Sequence, residues 1–118
     1  MVHPEVFEIL LDRLQDIGFD PEKEYSDTAI LLIGRGGSDP DANSDFYKIT
    51  RLLWEKLNMK WVESAFMGVT DPLVSEGIDR CIKLGAKKVI MLPYFLFTGI
   101  LMERMNKMIQ DFREKYPD

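Results

Sequence analysis

The sequence predicts an α/β domain, a parallel sheet with helices packed on both faces. Three observations carry that prediction. Short apolar runs alternate along the chain with longer segments whose apolar residues recur at helical spacing. Loops rich in Gly, Ser, Asp, Pro or Thr separate each apolar run from the helix that follows it. The tripeptides Ser38-Asp39-Pro40 and Thr70-Asp71-Pro72 recur one strand–helix unit apart, each at an expected strand-to-helix turn.

Each element has its own signal. Val6, Leu10, Leu14 and Ile17 predict a first helix over 4–17, with Pro4 in its first turn and Gly18 as its stop. Residues 19–27 read as a polar connection. Residues 28–33, Thr-Ala-Ile-Leu-Leu-Ile, are short, apolar and bounded by turn residues, as a strand buried on both faces would be. A second helix over about 40–57 is expected to turn Ala42, Phe46, Ile49, Leu53 and Leu57 inward. A second strand follows over 61–68, and then a third helix over 72–84 that ends at Gly85. Residues 88–93 form the third strand, and a last helix carries Leu101, Met105, Met108 and Phe112 on one face. At both Asp-Pro turns, Asp is expected to cap the helix and Pro to take its first position.

Three strands make a thin sheet. A fourth is expected and missing, because the sequence stops at Lys115-Tyr116-Pro117-Asp118 where it would begin. No strand precedes the first helix either. Two expectations follow: a piece of a longer protein, or a small subunit whose sheet edge a partner covers.

At 118 residues the chain is expected to form one domain with a real core. A net charge of −5 argues against nucleic acid as a partner. The single Cys81 cannot form an internal disulfide, and its place on an apolar helical stripe predicts a reduced, buried thiol. No apolar stretch reaches the roughly 18 residues of a membrane span, and no signal peptide is read. A soluble, cytoplasmic protein is expected, with no membrane partner.

The strand-to-helix loops of such a sheet lie together at its carboxyl end, where ligands of open α/β sheets bind. The first is Arg35-Gly36-Gly37-Ser38. Its glycines let backbone N–H groups turn inward, Ser38 adds a hydroxyl, the next helix adds its dipole, and Arg35 would complete a clamp on carboxylate or phosphate. The same residues also suit a plain tight turn with a surface Arg, and both readings stand. The second loop is Gly68-Val69-Thr70. The third, Tyr94 to Gly99, is very apolar: Tyr94, Phe95, Leu96 and Phe97 either line a wall for a flat ligand or pack as core under the last helix. Metal and nucleophilic chemistry are poorly supplied. The only His is His3, before the first helix, and it reads as a surface residue. There is no Cys cluster or His–Glu spacing, and Ser38 has no His to activate it. Glu76 and Glu103, near helix starts, read as solvated.

Three stretches carry a resemblance: Leu32-Ile-Gly-Arg-Gly-Gly-Ser-Asp-Pro-Asp-Ala-Asn43, Phe66-Met-Gly-Val-Thr-Asp-Pro72 and Leu92-Pro-Tyr-Phe-Leu-Phe-Thr-Gly99. From His3 to Phe112 the sequence resembles the CbiX-type sirohydrochlorin cobaltochelatases, class II chelatases, and in particular the C-terminal half of their long form. The segment from His3 to Gly18 looks like the helix that joins the two halves. The resemblance implies a flavodoxin-like (chelatase-like) half-domain over 28–118, preceded by an N-terminal helix and linker over 1–27. Two such halves, or two subunits, would face each other across a cleft holding the tetrapyrrole. The reaction implied is insertion of Co²⁺, or another divalent metal, into sirohydrochlorin with loss of two pyrrole protons. The metal is a substrate, and no tightly bound cofactor is expected.

In active halves of that family a His in the first loop binds metal and takes protons; here that position is Arg35. A second metal-site His after the third strand falls near Leu101. An acidic residue used by some members after the second strand falls on Gly68. The resemblance thus implies a half without metal ligands, since guanidinium is no ligand or base near neutral pH. The residues expected to bind substrate are Arg35, Gly36, Gly37, Ser38, Thr70, Tyr94, Phe97 and Thr98, with Arg35 drawing the carboxylates that rim sirohydrochlorin. A companion half or homodimer partner would supply the His residues. Two other functions remain open: a non-catalytic interaction module, and a phosphate-ligand binder of flavodoxin type.

Overall fold

The structure is a computed structural model, and it describes residues 5–94 together with two helical positions, Lys107 and Gln110. Its elements run α1 (Glu5–Asp16), β1 (Tyr25–Gly34), α2 (Pro40–Lys56), β2 (Met59–Phe66), α3 (Val74–Leu84) and β3 (Lys88–Pro93). The three strands form one parallel sheet in the order β2-β1-β3, so the first strand in sequence is the central one. Its side chains explain why. Residues 28–34 are all buried, and a strand apolar on both faces is stable only with neighbours and helices on every side.

The period-two alternation of β1 divides the core into two layers. Ile30 and Leu32 pack with Phe7, Leu10 and Leu14 of α1 and with Phe46, Ile49 and Leu53 of α2. Ala29, Leu31 and Ile33 point the other way, onto Val74, Ile78 and Cys81 of α3. Helices therefore cover both faces, as the alternation of elements predicts. Cys81 is fully buried, as expected, and burial pushes its thiol up to about 12.

The differences from the sequence reading are local. Strand β1 starts at Tyr25 rather than 28, because Tyr25 pairs with Met59 and stacks on Phe19 at a centroid distance of 4.7 Å. That same pairing begins β2 at Met59 rather than 61. Strand β2 stops at Phe66 rather than 68 because the Phe66 N–H donates to the Pro72 carbonyl (2.8 Å), which turns the chain. Helix α1 buries Phe7 and leaves Ile17 64% exposed, since the helix ends at Asp16. Ala42 is exposed rather than inward, in the first turn of α2. Thr50 is buried instead, donating to the Phe46 carbonyl (3.2 Å) and accepting from the Ser64 hydroxyl (2.7 Å). The last predicted helix lies outside the described residues except for Lys107 and Gln110, which are helical. Among the described residues no helix is long and apolar enough to cross a membrane.

Candidate functional site

Helix α2, between β1 and β2, packs on one face of the sheet, and α3, between β2 and β3, packs on the other. The loop after β1 thus leads to one face and the loop after β2 to the other, so the chain switches sides at the carboxyl end of the sheet, where an open α/β sheet leaves a crevice. An open cavity of about 480 Å³ lies there. It is bounded by Gly34 to Gly37, by Asn43, Asp45 and Phe46 of α2, and by Phe66 and Tyr94 at the ends of β2 and β3. Its floor is aromatic: the Phe46 ring lies 5.1 Å from that of Phe66 and 6.0 Å from that of Tyr94. Hydrogen bonds fix its rim. The Tyr94 N–H donates to Ile33 O (2.7 Å), and Arg13 of α1 donates through Nη1 to the Pro93 carbonyl (2.6 Å), tying the end of β3 to the α1 layer. The Asn43 side chain donates to Gly37 O (2.9 Å), closing the first loop onto α2.

Arg35 is exposed at this mouth, and among the described residues no acceptor bonds its guanidinium. The next residue accounts for the loop's shape. Gly36 has φ +86, and a Cβ built on it would collide with the carbonyl oxygen of Gly68. Only glycine allows both the left-handed backbone and that approach. The Gly68 N–H donates to Arg35 O (3.3 Å) and the Met67 N–H to Gly34 O (2.9 Å), so the first and second loops are locked together.

Of the expected binding residues, the structure brings Arg35, Gly36, Gly37 and Tyr94 to one cavity. Ser38 lies exposed beyond its lining, and Thr70 sits in the second loop, where its N–H donates to Gly68 O (2.8 Å). Phe97, Thr98 and Leu101 lie outside the described residues, as do His3, Phe95, Leu96 and Glu103. Gly68 is at the junction of the two loops. Glu76 is exposed in the first turn of α3.

Two expectations about helix starts need correction. Asp39 caps α2 as predicted, its Oδ1 accepting from the Asp41 N–H (3.0 Å), with Pro40 at the first position. That carboxylate occupies the place the anion reading gave to a ligand, and Asp41 adds negative charge in the first turn. The exposed Arg35 guanidinium is thus the cation of this loop, beside an acidic helix start. Asp71 caps nothing: α3 starts at Val74 with Leu73 as its cap residue and no side-chain bond. The Asp71-Pro72 peptide is cis, Pro72 O accepts from Phe66, and Leu73 forms a parallel bridge with Phe66. The turn after β2 is thus longer than the turn after β1, and the tripeptide repeat is not a structural one.

Asn43, Asp45 and Phe66 line the cavity without having been singled out as binding residues. Asn43 was visible as the polar residue one helical turn after Asp39; the positions of the other two depend on how far β2 and α2 extend. No group of three or more His, Cys, Asp or Glu residues is placed to hold a metal ion among the described residues.

A family model described as CbiX matches residues 29–118. Over 115 residues the chain is 60% identical to the "Sirohydrochlorin cobaltochelatase" of Priestia megaterium, covering 98% of this chain and 38% of that protein. It is 33% identical over 109 residues to the "Sirohydrochlorin ferrochelatase" of the same organism, covering 92% of this chain and 40% of that protein. The solved structure described as "SirB from Bacillus subtilis with Fe3+" superposes with a TM-score of 0.78 at 32% identity, over 96% of this chain and 43% of that one. The chain spans less than half the length of each of these relatives. A sheet ordered β2-β1-β3, a glycine-locked loop at its switch point and these matches agree, and the chain belongs to the CbiX family.

Proposed function

We propose that this chain forms one half of a sirohydrochlorin chelatase and serves as the wall that binds the tetrapyrrole rather than as the metal site. The observation that carries this reading is Arg35. It stands unpaired among the described residues, at the mouth of a cavity with an aromatic floor, in the loop where the family resemblance expects a metal-binding His. A guanidinium offers five donors and no lone pair, so it suits the carboxylates of sirohydrochlorin and repels a divalent cation. Phe46, Phe66 and Tyr94 add an apolar surface for the macrocycle. Co²⁺ or Fe²⁺ is the second substrate, and a companion half or a second subunit supplies the groups that hold it and accept the pyrrole protons. Gly36 and Gly37 shape the loop; Ser38, Thr70, Phe97 and Thr98 complete the binding set.

The test is a titration of the full chain with sirohydrochlorin without metal, followed by absorbance. Arg35→Ala is expected to weaken binding about tenfold, the equivalent of about 1.4 kcal/mol for one solvent-facing charge-assisted contact. Added salt is expected to weaken the wild type more than the variant. Equal affinity and equal salt dependence would overturn the role given to Arg35.

A further inference from the structure

The second loop contains a residue that its own fold does not explain. Val69 has φ +72, the one residue other than glycine with a positive φ among the described residues. A branched Cβ makes that conformation costly. The hydrogen bond from the Thr70 N–H to Gly68 O (2.8 Å) spans a three-residue turn centred on Val69. This is the γ-turn with positive central φ, the rare and strained kind. The side chain gains nothing from being held there, because Val69 is 79% exposed. Glycine would adopt this backbone more easily and would put no apolar group in water.

The turn is also held in place. Gly68 donates to Arg35 O (3.3 Å), and its carbonyl, which anchors the turn, packs against Gly36, where no Cβ fits. Val69 therefore sits next to the Arg35–Gly36 loop, at the same carboxyl end of the sheet as the cavity. A strained backbone, an exposed branched side chain and a rigid mounting together cost stability; such features cluster where a ligand is clamped.

We propose that Val69 is a substrate-positioning residue, an apolar contact that the γ-turn presents to the face of the tetrapyrrole while Arg35 holds a carboxylate at its rim. This inference rests on the chelatase reading above and deepens it. It separates two tasks between two interlocked loops: charge recognition on the first, placement of the macrocycle on the second.

Two variants test it in the full chain, with sirohydrochlorin as the probe. Val69→Thr keeps the branched shape and the strain but replaces a methyl with a hydroxyl. It is expected to leave the thermal midpoint unchanged and to weaken binding about threefold. Val69→Gly relieves the positive φ, so it is expected to raise the midpoint by about 2–4 °C while weakening binding about fivefold. Stability and affinity moving in opposite directions is a result that a purely structural role for Val69 does not give. If both variants bind like the wild type while Arg35→Ala binds worse, the inference falls and the chelatase reading stands. A lower midpoint for Val69→Gly also overturns the inference, since it would mean that the side chain is packed rather than presented. If the wild type does not take up sirohydrochlorin at all, the chelatase reading falls and takes this inference with it.

Discussion

Replacing Gly36 with alanine tests the lock between the first two loops, on which the site's shape depends. Gly36 has φ +86, and an alanine in left-handed backbone costs about 1–2 kcal/mol. The added Cβ would also collide with Gly68 O. Both atoms are fixed by the backbone, so no rotamer relieves the clash and the loops must separate. Separation gives up the Gly68 N–H to Arg35 O bond, which at 3.3 Å is long and contributes about 0.5–1 kcal/mol. The sum is a loss of about 1.5–3 kcal/mol, a large share of the roughly 5–15 kcal/mol typical of a domain. Urea unfolding followed by circular dichroism measures it, and the midpoint is expected to fall by about 1–2 M. Gly37→Ala is the matched control. A Cβ there meets nothing within 4 Å, and its effect is expected to stay within about 0.5 kcal/mol. Equal midpoints for the two variants, or a Gly36→Ala protein as stable as the wild type, would refute the lock.

Three further predictions concern the core and its ionisable groups. Ser64→Ala removes the buried hydroxyl bond to Thr50 and is expected to cost about 1 kcal/mol in urea unfolding; combined with Thr50→Val the loss is expected to be less than additive, because both variants break the same 2.7 Å contact. Burial raises the Glu63 carboxyl pKa above its ordinary 4.5, and Arg80 offsets this in part. The folded state thus holds that proton more tightly than the unfolded chain, so the stability Glu63 contributes is full below pH 4.5 and is lost as pH rises through its folded pKa. Glu63→Gln is therefore expected to be more stable than wild type at pH 7, with the gain disappearing below the ordinary carboxyl range, as thermal midpoints across pH would show. Burial holds the Cys81 thiol pKa at about 12, against an ordinary 9.0, so iodoacetamide at pH 8.5 is expected to label the native protein far more slowly than the urea-unfolded chain. By the same linkage, the stability that Cys81 contributes is lost as pH rises from about 9 towards about 12.

The layered fold was legible because β1 is apolar without interruption and the helices show their stripes: Leu10, Leu14, Phe46, Ile49 and Leu53 are all buried where periodicity puts them. Element ends were less legible because they depend on partners distant in sequence. Tyr25 joins a strand because Met59 is there to pair with it, and Ile17 drops out of the core because α1 has already ended. The two Asp-Pro tripeptides show how local chemistry underdetermines structure. Asp39 caps, whereas Asp71 does not, because Phe66 claims Pro72 O and delays the helix to Val74. Arg35, Gly36 and Tyr94 could be gathered in advance because every strand-to-helix loop of a parallel sheet meets at one end. The strain at Val69 could not, since nothing in its neighbours' identities signals a positive φ.

In the function proposed above, this chain binds the macrocycle and leaves the metal to another set of groups. The most direct test is the absorbance time course of sirohydrochlorin mixed with Co²⁺ and the purified chain, against the same mixture without protein. The spectral shift of bound macrocycle is expected with no acceleration of cobalt insertion, and acceleration only when a His-bearing companion half is added. Cobalt insertion by this chain alone, faster than the protein-free rate and in proportion to chain concentration, would contradict it.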